Sequence, residues 1–330
     1  MRALVCNEFG DGSNLTLGEL PTPEPSAGQV QIQVANAGIG YVDALMVRNL
    51  HQNKHALPFA PSMAISGTVS ALAADIDNLA LGQRVMALAY DGGLAEVAVA
   101  PAGEVFAIPQ SMTFASAASI ASGYLTPHAA LRWDAQLAAG ETLLVLGASG
   151  TVGSAAVEVG KALGARVIAA ASTEAKLQIA REKGADATVC YGTDDIYQSV
   201  QELTDGKGID VVYDPVGGEL YESAFRCLDW GGRYVVIGFA GGAIPSFPAN
   251  RLLVKNRKAI GFVLMYYRRF RQDLLAQTST ELCDLYASGK LNAKPSAVIP
   301  LSDAGRAIDD FYTRRAIGNT VVEIDSSEGG

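Results

Sequence analysis

The sequence predicts an α/β protein made of a β-rich domain and a doubly wound parallel sheet. Length is the first observation: 330 residues exceed what one compact core usually holds, so two domains are expected. The second is a change of texture near residue 116, where short strands broken by Gly and Pro give way to alternating helices and apolar strands. The third is that six apolar strand candidates follow that point, which suits a doubly wound fold.

In chain order, RALVCNEF, QVQIQVANAGI, SGTVSALAA, QRVMALA and LAEVAVAPAGEVFAIP read as strands, with turn chemistry such as PTPEPSAG between them. ASAASIASGYLTPHAALRW, rich in small residues, reads as a tightly packed helix. The second array comprises ETLLVLGA (141–148), ARVIAAAS (165–172), ATVCY (187–191), IDVVYDPV (209–216), GRYVVIGF (232–239) and KAIGFVL (258–264). Helical stretches such as TVGSAAVEVGKALG and TEAKLQIAREKG separate them, so parallel strands joined by crossover helices are the economical assembly. Beyond residue 265, YRRFRQDLLAQTSTELCDLYASGKL reads as one helix and SDAGRAIDDFYTRR as another, before a strand in NTVVEI. The final SSEGG reads as a frayed tail.

Composition excludes several classes. Hydrophobic residues make up 49% and charged residues 18%, values of a folded globular chain. A net charge of -9 opposes a nucleic-acid role, and the one dense basic cluster, Arg268, Arg269 and Arg271, reads as a solvated helix face. The sequence lacks an apolar run long enough to span a membrane, and MRALVCNEFGDGSN is unlike a secretory signal, so a cytoplasmic enzyme is expected. Cys6, Cys190, Cys227 and Cys283 show no CxxC spacing and read as reduced, mostly buried thiols. His51, His55 and His128 are too few and too poorly grouped with cysteine to propose a metal site.

LLVLGASGTVGSAAVEVGKALGARVIA carries the strongest chemical signal. Gly147, Gly150 and Gly153 fall at a turn between an apolar strand and an Ala-rich helix. Glycine lets the backbone turn sharply and approach a pyrophosphate, and the first amides of the helix point at the anion. The spacing is GxxGxxG rather than GxGxxG; the alternative reading is a glycine turn needed for packing alone. A cofactor without a 2′-phosphate is usually held by a carboxylate at the end of the second strand, where this chain reads AAAS. With no carboxylate before Glu174, and with Ser172 and Lys176 able to donate to a phosphate, NADPH is favoured over NADH. The alternative gives Ser172 to helix capping and Lys176 to the solvated surface.

LGASGTVGSAAVEVGKALGARVIA, KGADATVCY, IDVVYDPVGG, GGRYVVIGFAGG and LLVKNRKAIGF together resemble the medium-chain dehydrogenase/reductase superfamily. Within it the likeness is to the zinc-free quinone oxidoreductase branch, which includes the zeta-crystallin-like enzymes. MRALVCNEFG, VANAGIGYVDALMVR and LPFAP extend it over essentially the whole chain. The resemblance implies a GroES-like catalytic domain from residues 1–120 and 266–330, a Rossmann domain from 121–265, NADPH in the cleft between them, and a homodimer paired edge to edge near KAIGFVL. By matching position it gives the pyrophosphate to Gly147, Ala148, Ser149, Gly150, Thr151, Val152 and Gly153. It places Ser172, Lys176 and Tyr191 around the adenosine phosphate and brings Thr126 toward the nicotinamide. Gly238, Phe239, Phe262 and Val263 then line the cofactor; each of these has an alternative as a turn or core residue.

The zinc-dependent members carry Cys and His where this chain reads AGIGYVDAL and PSMAISG, so no catalytic zinc is expected. The chain also departs from its own branch, with Gly40 and Tyr41 in place of the usual AGVNxxD sequence and PSMAISG in place of PGxExxG. Hydride transfer to a quinone is the expected reaction, with Tyr41 as first choice of proton donor ahead of Tyr90 and Tyr124, and Asp43 fixing the local backbone. The alternatives are reduction of an α,β-unsaturated carbonyl or enoyl thioester, and a non-catalytic NADPH-binding protein.

Overall fold

The computed structural model describes residues 1–324, and the SSEGG tail lies outside them. The chain divides into two units, Met1–Leu125 with Phe270–Gly330, and Thr126–Arg269.

The first unit begins with a two-stranded antiparallel ribbon, β1 (Arg2–Cys6) with β2 (Leu15–Glu19). Five strands of a seven-stranded sheet follow, β3 (Gln29–Ile39), β4 (Ala64–Leu72), β5 (Arg84–Leu88), β6 (Val97–Pro101) and β7 (Val105–Ala107), with β6 pairing β3 off the main path. α1 (Tyr41–Val47) sits between β3 and β4, and α2 (Phe114–Ser119) follows β7. The alternation in QVQIQV explains β3: Val30, Ile32 and Val34 are fully buried while Gln29, Gln31 and Gln33 are not. Each such aliphatic side chain contributes about 1.5–3 kcal/mol.

The chain passes into the second unit within α3 (Leu125–Ala129), which is flanked by wider π-type turns at Ile120–Tyr124 and Ala130–Asp134. Pro127 lacks the amide that a regular helix needs, and its ring crowds the carbonyl four residues earlier, which accounts for irregular bonding around it. The unit continues β8 (Thr142–Val145), α4 (Thr151–Ala162), β9 (Arg166–Ala171), α5 (Glu174–Glu182), β10 (Ala187–Cys190), α6 (Ile196–Leu203), β11 (Ile209–Asp214), α7 (Leu220–Cys227), β12 (Leu228–Val236), α8 (Ala249–Val254), β13 (Lys258–Gly261) and α9 (Leu264–Phe270). Six parallel strands lie in the order β10-β9-β8-β11-β12-β13, so the crossovers reverse direction at β8, as in a Rossmann sheet. The continuous apolar runs of β8 and β9 fit strands covered on both faces.

The chain then re-enters the first unit through α10 (Gln272–Ala287), β14 (Ala297–Pro300), α11 (Ala304–Tyr312) and β15 (Thr320–Glu323). β15 lies inside the sheet, parallel to β14 and antiparallel to β3. The expected single helix after residue 265 is two, broken at Arg271, whose non-helical backbone (φ −136°, ψ 51°) precedes α10. The solvated basic face is also corrected, because Arg268 is buried on α9. Cys6, Cys227 and Cys283 are buried free thiols, pushed by burial to about 11, 12 and 11, while Cys190 is half-buried. Among the described residues no helix is long and apolar enough to cross a membrane.

Candidate functional site

Parallel strands bring all their carboxyl ends to one edge of the sheet, and the turns along that edge carry most of the residues singled out in the sequence. Gly147 follows β8 with a left-handed backbone, φ +56°, and a Cβ there would come within 2.8 Å of Val216. Gly153, in the first turn of α4, presses on that turn so closely that a Cβ would overlap the Gly147 carbonyl oxygen. Gly150 differs: a Cβ there would make one ordinary contact, so protein packing does not demand glycine. A position kept free of side chain at the N-cap of a 12-residue helix suits a ligand that lies against the backbone. Ala148 and Ser149 are buried in the turn, and Thr151 and Val152 are half-buried at the start of α4.

Along the same edge, Ser172 follows β9 and Tyr191 follows β10. The Tyr191 amide donates to the Ala171 carbonyl at 3.0 Å, and Gly192 approaches Ser172 so closely that a Cβ would overlap its carbonyl oxygen. Lys176 lies in the first turn of α5, half-buried. The capping alternative for Ser172 is corrected, since Thr173 is the residue whose side chain accepts the Lys176 amide at 3.3 Å. Glu174 is paired with Arg181 at 2.5 Å.

Asp214 ends β11 and organises the next turns. Its carboxylate accepts the Val216 and Gly217 amides at 2.8 Å each and the Tyr234 hydroxyl at 2.6 Å. Burial pushes Asp214 above the usual carboxylate range despite these donors. Gly238 follows β12, with its amide 3.3 Å from the Asp214 carbonyl oxygen, and Phe239 is exposed beside it. After β13, Phe262 turns inward onto Tyr267, with ring centroids 5.3 Å apart, while Val263 is exposed. Thr126 is half-buried on α3.

The first unit holds a cluster that the sequence gave no reason to expect. Asp43 is buried and accepts the Gly40 amide at 2.7 Å, capping α1; burial pushes it up to about 7, against the pull of the Gly40 and Ser62 amides. Tyr41, on the same helix, stacks on Tyr312 at 6.3 Å and is 44% exposed. Just beyond α1, the rings of His51 and His55 stack with centroids 6.3 Å apart. His55 also stacks on Phe59 at 5.0 Å and meets Tyr90 at 4.7 Å, and its Nδ1 lies 2.9 Å from the Asp91 carboxylate. The Ala89, Gly92, Gly93 and Leu94 amides donate to the carbonyls of Met63, Ala60, Ser62 and Pro61 at 2.8–2.9 Å, fastening the loop that carries Tyr90 and Asp91. Spacing could not reveal this cluster, because Asp91 stands 36 residues from His55.

A model described as an alcohol dehydrogenase GroES-like domain matches residues 26–110, and one described as a zinc-binding dehydrogenase matches 151–280. The quinone oxidoreductase-like protein 2 homolog of Nematostella vectensis is 35% identical over 324 residues, covering 97% of this chain and 88% of that protein. The chain belongs to the medium-chain dehydrogenase/reductase superfamily, in its quinone oxidoreductase branch. The quinone oxidoreductase-like protein 2 of Bos taurus is 33% identical, covering 98% of this chain and 92% of that one. The solved structure of Escherichia coli quinone oxidoreductase complexed with NADPH superposes with a TM-score of 0.88 at 27% identity, covering 98% of this chain and all of the other. As a member of this superfamily the protein is an oxidoreductase with a GroES-like and a Rossmann unit. Among the described residues no three His, Cys, Asp or Glu side chains are grouped to hold a metal.

Proposed function

We propose that the protein is a zinc-independent, NADPH-dependent reductase of quinones. The turn from β8 to α4 carries this reading: Gly147 and Gly153 are shaped by packing, and Gly150 leaves room at the amides of α4. Those amides and the helix dipole suit a pyrophosphate held by residues 147–153. Ser172, Lys176 and Tyr191 surround the adenosine 2′-phosphate, with Lys176 supplying the opposite charge. Gly238, Phe239 and Val263 line the rest of the cofactor, Phe262 supports that wall from behind, and Thr126 approaches the nicotinamide. The likeness to a quinone oxidoreductase solved with NADPH supports both the cofactor and the substrate class.

NADPH supplies a hydride, and the protein positions the acceptor, excludes water and stabilises the oxygen on which charge develops. Tyr41 offers a partly exposed hydroxyl as one source of the balancing proton. The protein acts as a homodimer joined through β13, the last strand of the sheet, whose Lys258, Ala259 and Gly261 are exposed.

Oxidation of NADPH and of NADH by the purified protein, followed optically against a benzoquinone, a naphthoquinone, an alkyl enone and an enoyl-CoA, tests the proposal. Turnover of quinones with NADPH preferred is expected. Turnover of the enones alone moves the substrate to conjugated alkenes, and a preference for NADH removes the role given to Ser172 and Lys176. Tight NADPH binding without turnover would make the protein a non-catalytic binder.

A further inference from the structure

We propose that His55, oriented by Asp91, binds and protonates the oxygen of a planar carbonyl acceptor, with Tyr90 as the wall on its solvent side. The inference rests on the reductase reading and names the group that the acceptor oxygen meets. A carboxylate can only accept, so the 2.9 Å contact with Asp91 assigns the His55 Nδ1 proton and leaves Nε2 as the ring's working edge. Nε2 is buried and has no hydrogen-bond partner among the described residues. An unsatisfied buried nitrogen of this kind costs about 1–3 kcal/mol, a cost that an acceptor oxygen removes when Nε2 carries a proton to donate. Phe59 and Tyr90 pack on the ring, at 5.0 and 4.7 Å, so it is held in one orientation.

Access is through Tyr90. His55 is 7% exposed, whereas Tyr90 is 48% exposed and is tethered by its hydroxyl to the Lys54 carbonyl at 2.9 Å. The backbone under Asp91 is fixed by the loop's amide contacts, which holds the dyad's geometry. Asp91, His51, Lys54 and Tyr90 are the titratable groups around the imidazole. Burial holds His51 below its ordinary value, which keeps a second positive charge away from the ring.

The proton balance is simple. When hydride adds to the acceptor, an electron pair is left on its oxygen. That pair takes the proton from Nε2 of the imidazolium; an N–H bond breaks, an O–H bond forms, and the ring becomes neutral with Nδ1–H still on Asp91. Water returns the proton to Nε2.

The test uses the full chain without cofactor and 4-nitrophenolate, a planar oxyanion without electrophilic carbons for the thiols. Binding is read by absorbance and by the ¹⁵N resonances of His55. The expected result is that Nε2 shifts on binding, that His55→Phe weakens binding about tenfold or more, and that Asp91→Asn, which removes the orienting carboxylate, weakens it by a smaller factor. His55→Gln, which keeps an amide donor and the approximate size, should melt like the wild type and bind within a few-fold. An unmoved His55 resonance at saturation, or unchanged binding by His55→Phe, overturns the inference. In NADPH oxidation with a naphthoquinone, His55→Phe should lower kcat about 100-fold with KM changing far less. A His55 shift in a protein that reduces no acceptor supports the oxyanion site and sinks the reductase reading instead.

Discussion

The cofactor turn of the second unit and the histidine cluster of the first are made of different materials. The turn is backbone: amides at the start of α4, a left-handed Gly147 and a Gly153 that could carry no side chain. The cluster is side chain: two histidines, Phe59, Tyr90 and Asp91, gathered from separate loops. A backbone site is encoded by a few adjacent residues and tolerates little change among them. A side-chain site is encoded across the fold and can be rebuilt one residue at a time, which suits the part of an enzyme that chooses substrates.

The sharpest way to break this comparison is Gly153→Ala. The new Cβ collides with the Gly147 carbonyl, and we expect a loss of about 3 kcal/mol in urea unfolding, with NADPH affinity falling in parallel. A variant that unfolds and binds like the wild type would show that the turn is not set by that contact. In the first unit the matching test is Asp43→Asn. Burial raises Asp43 from its ordinary 3.8 to about 7, so between those values the folded state holds more proton than the unfolded. Stability is then greatest below the ordinary carboxylate range and falls as pH rises through about 7. Asparagine keeps an acceptor for the Gly40 amide without the charge, so the variant should lose this slope and gain about 2 kcal/mol at the alkaline end, measured by urea unfolding across the range.

A smaller effect sharpens the cofactor side. Replacing Ser172 and Lys176 by Ala should narrow the preference for NADPH over NADH by about tenfold in fluorescence titrations. An unchanged ratio would move phosphate recognition elsewhere along the sheet edge. The smallest expected effect belongs to Tyr41→Phe, about twofold in kcat, because that ring is already engaged with Tyr312 and lacks an orienting carboxylate such as Asp91. A loss as large as that of His55→Phe would transfer the proton role to Tyr41.

The parallel sheet was legible because its strands are continuous apolar runs separated by amphipathic helices, and the glycine turn because its chemistry is local. What escaped was marked weakly or not at all. β2 buries Leu15 alone at its core end, and β14 alternates half-buried with exposed residues, so neither has a strong apolar face. The break at Arg271 has neither Gly nor Pro to announce it. Thr173 and Ser172 are equally good caps on paper, and only the geometry of the β9 exit separates them. The His55–Asp91 contact is the extreme case, since neither residue has a neighbour in sequence that predicts the other.

The place of β15 has a consequence for synthesis on the ribosome. Residues 126–269 form one uninterrupted stretch, so the Rossmann unit can collapse as soon as it clears the exit tunnel. The first unit, though translated earlier, must wait, because Asn36–Ile39 of β3 pair with Thr320–Glu323. Until then one margin of β3 stays open to any extended strand nearby, including that of another nascent chain. The unit that emerges first is the one completed last, and it is the natural place for a chaperone to intervene.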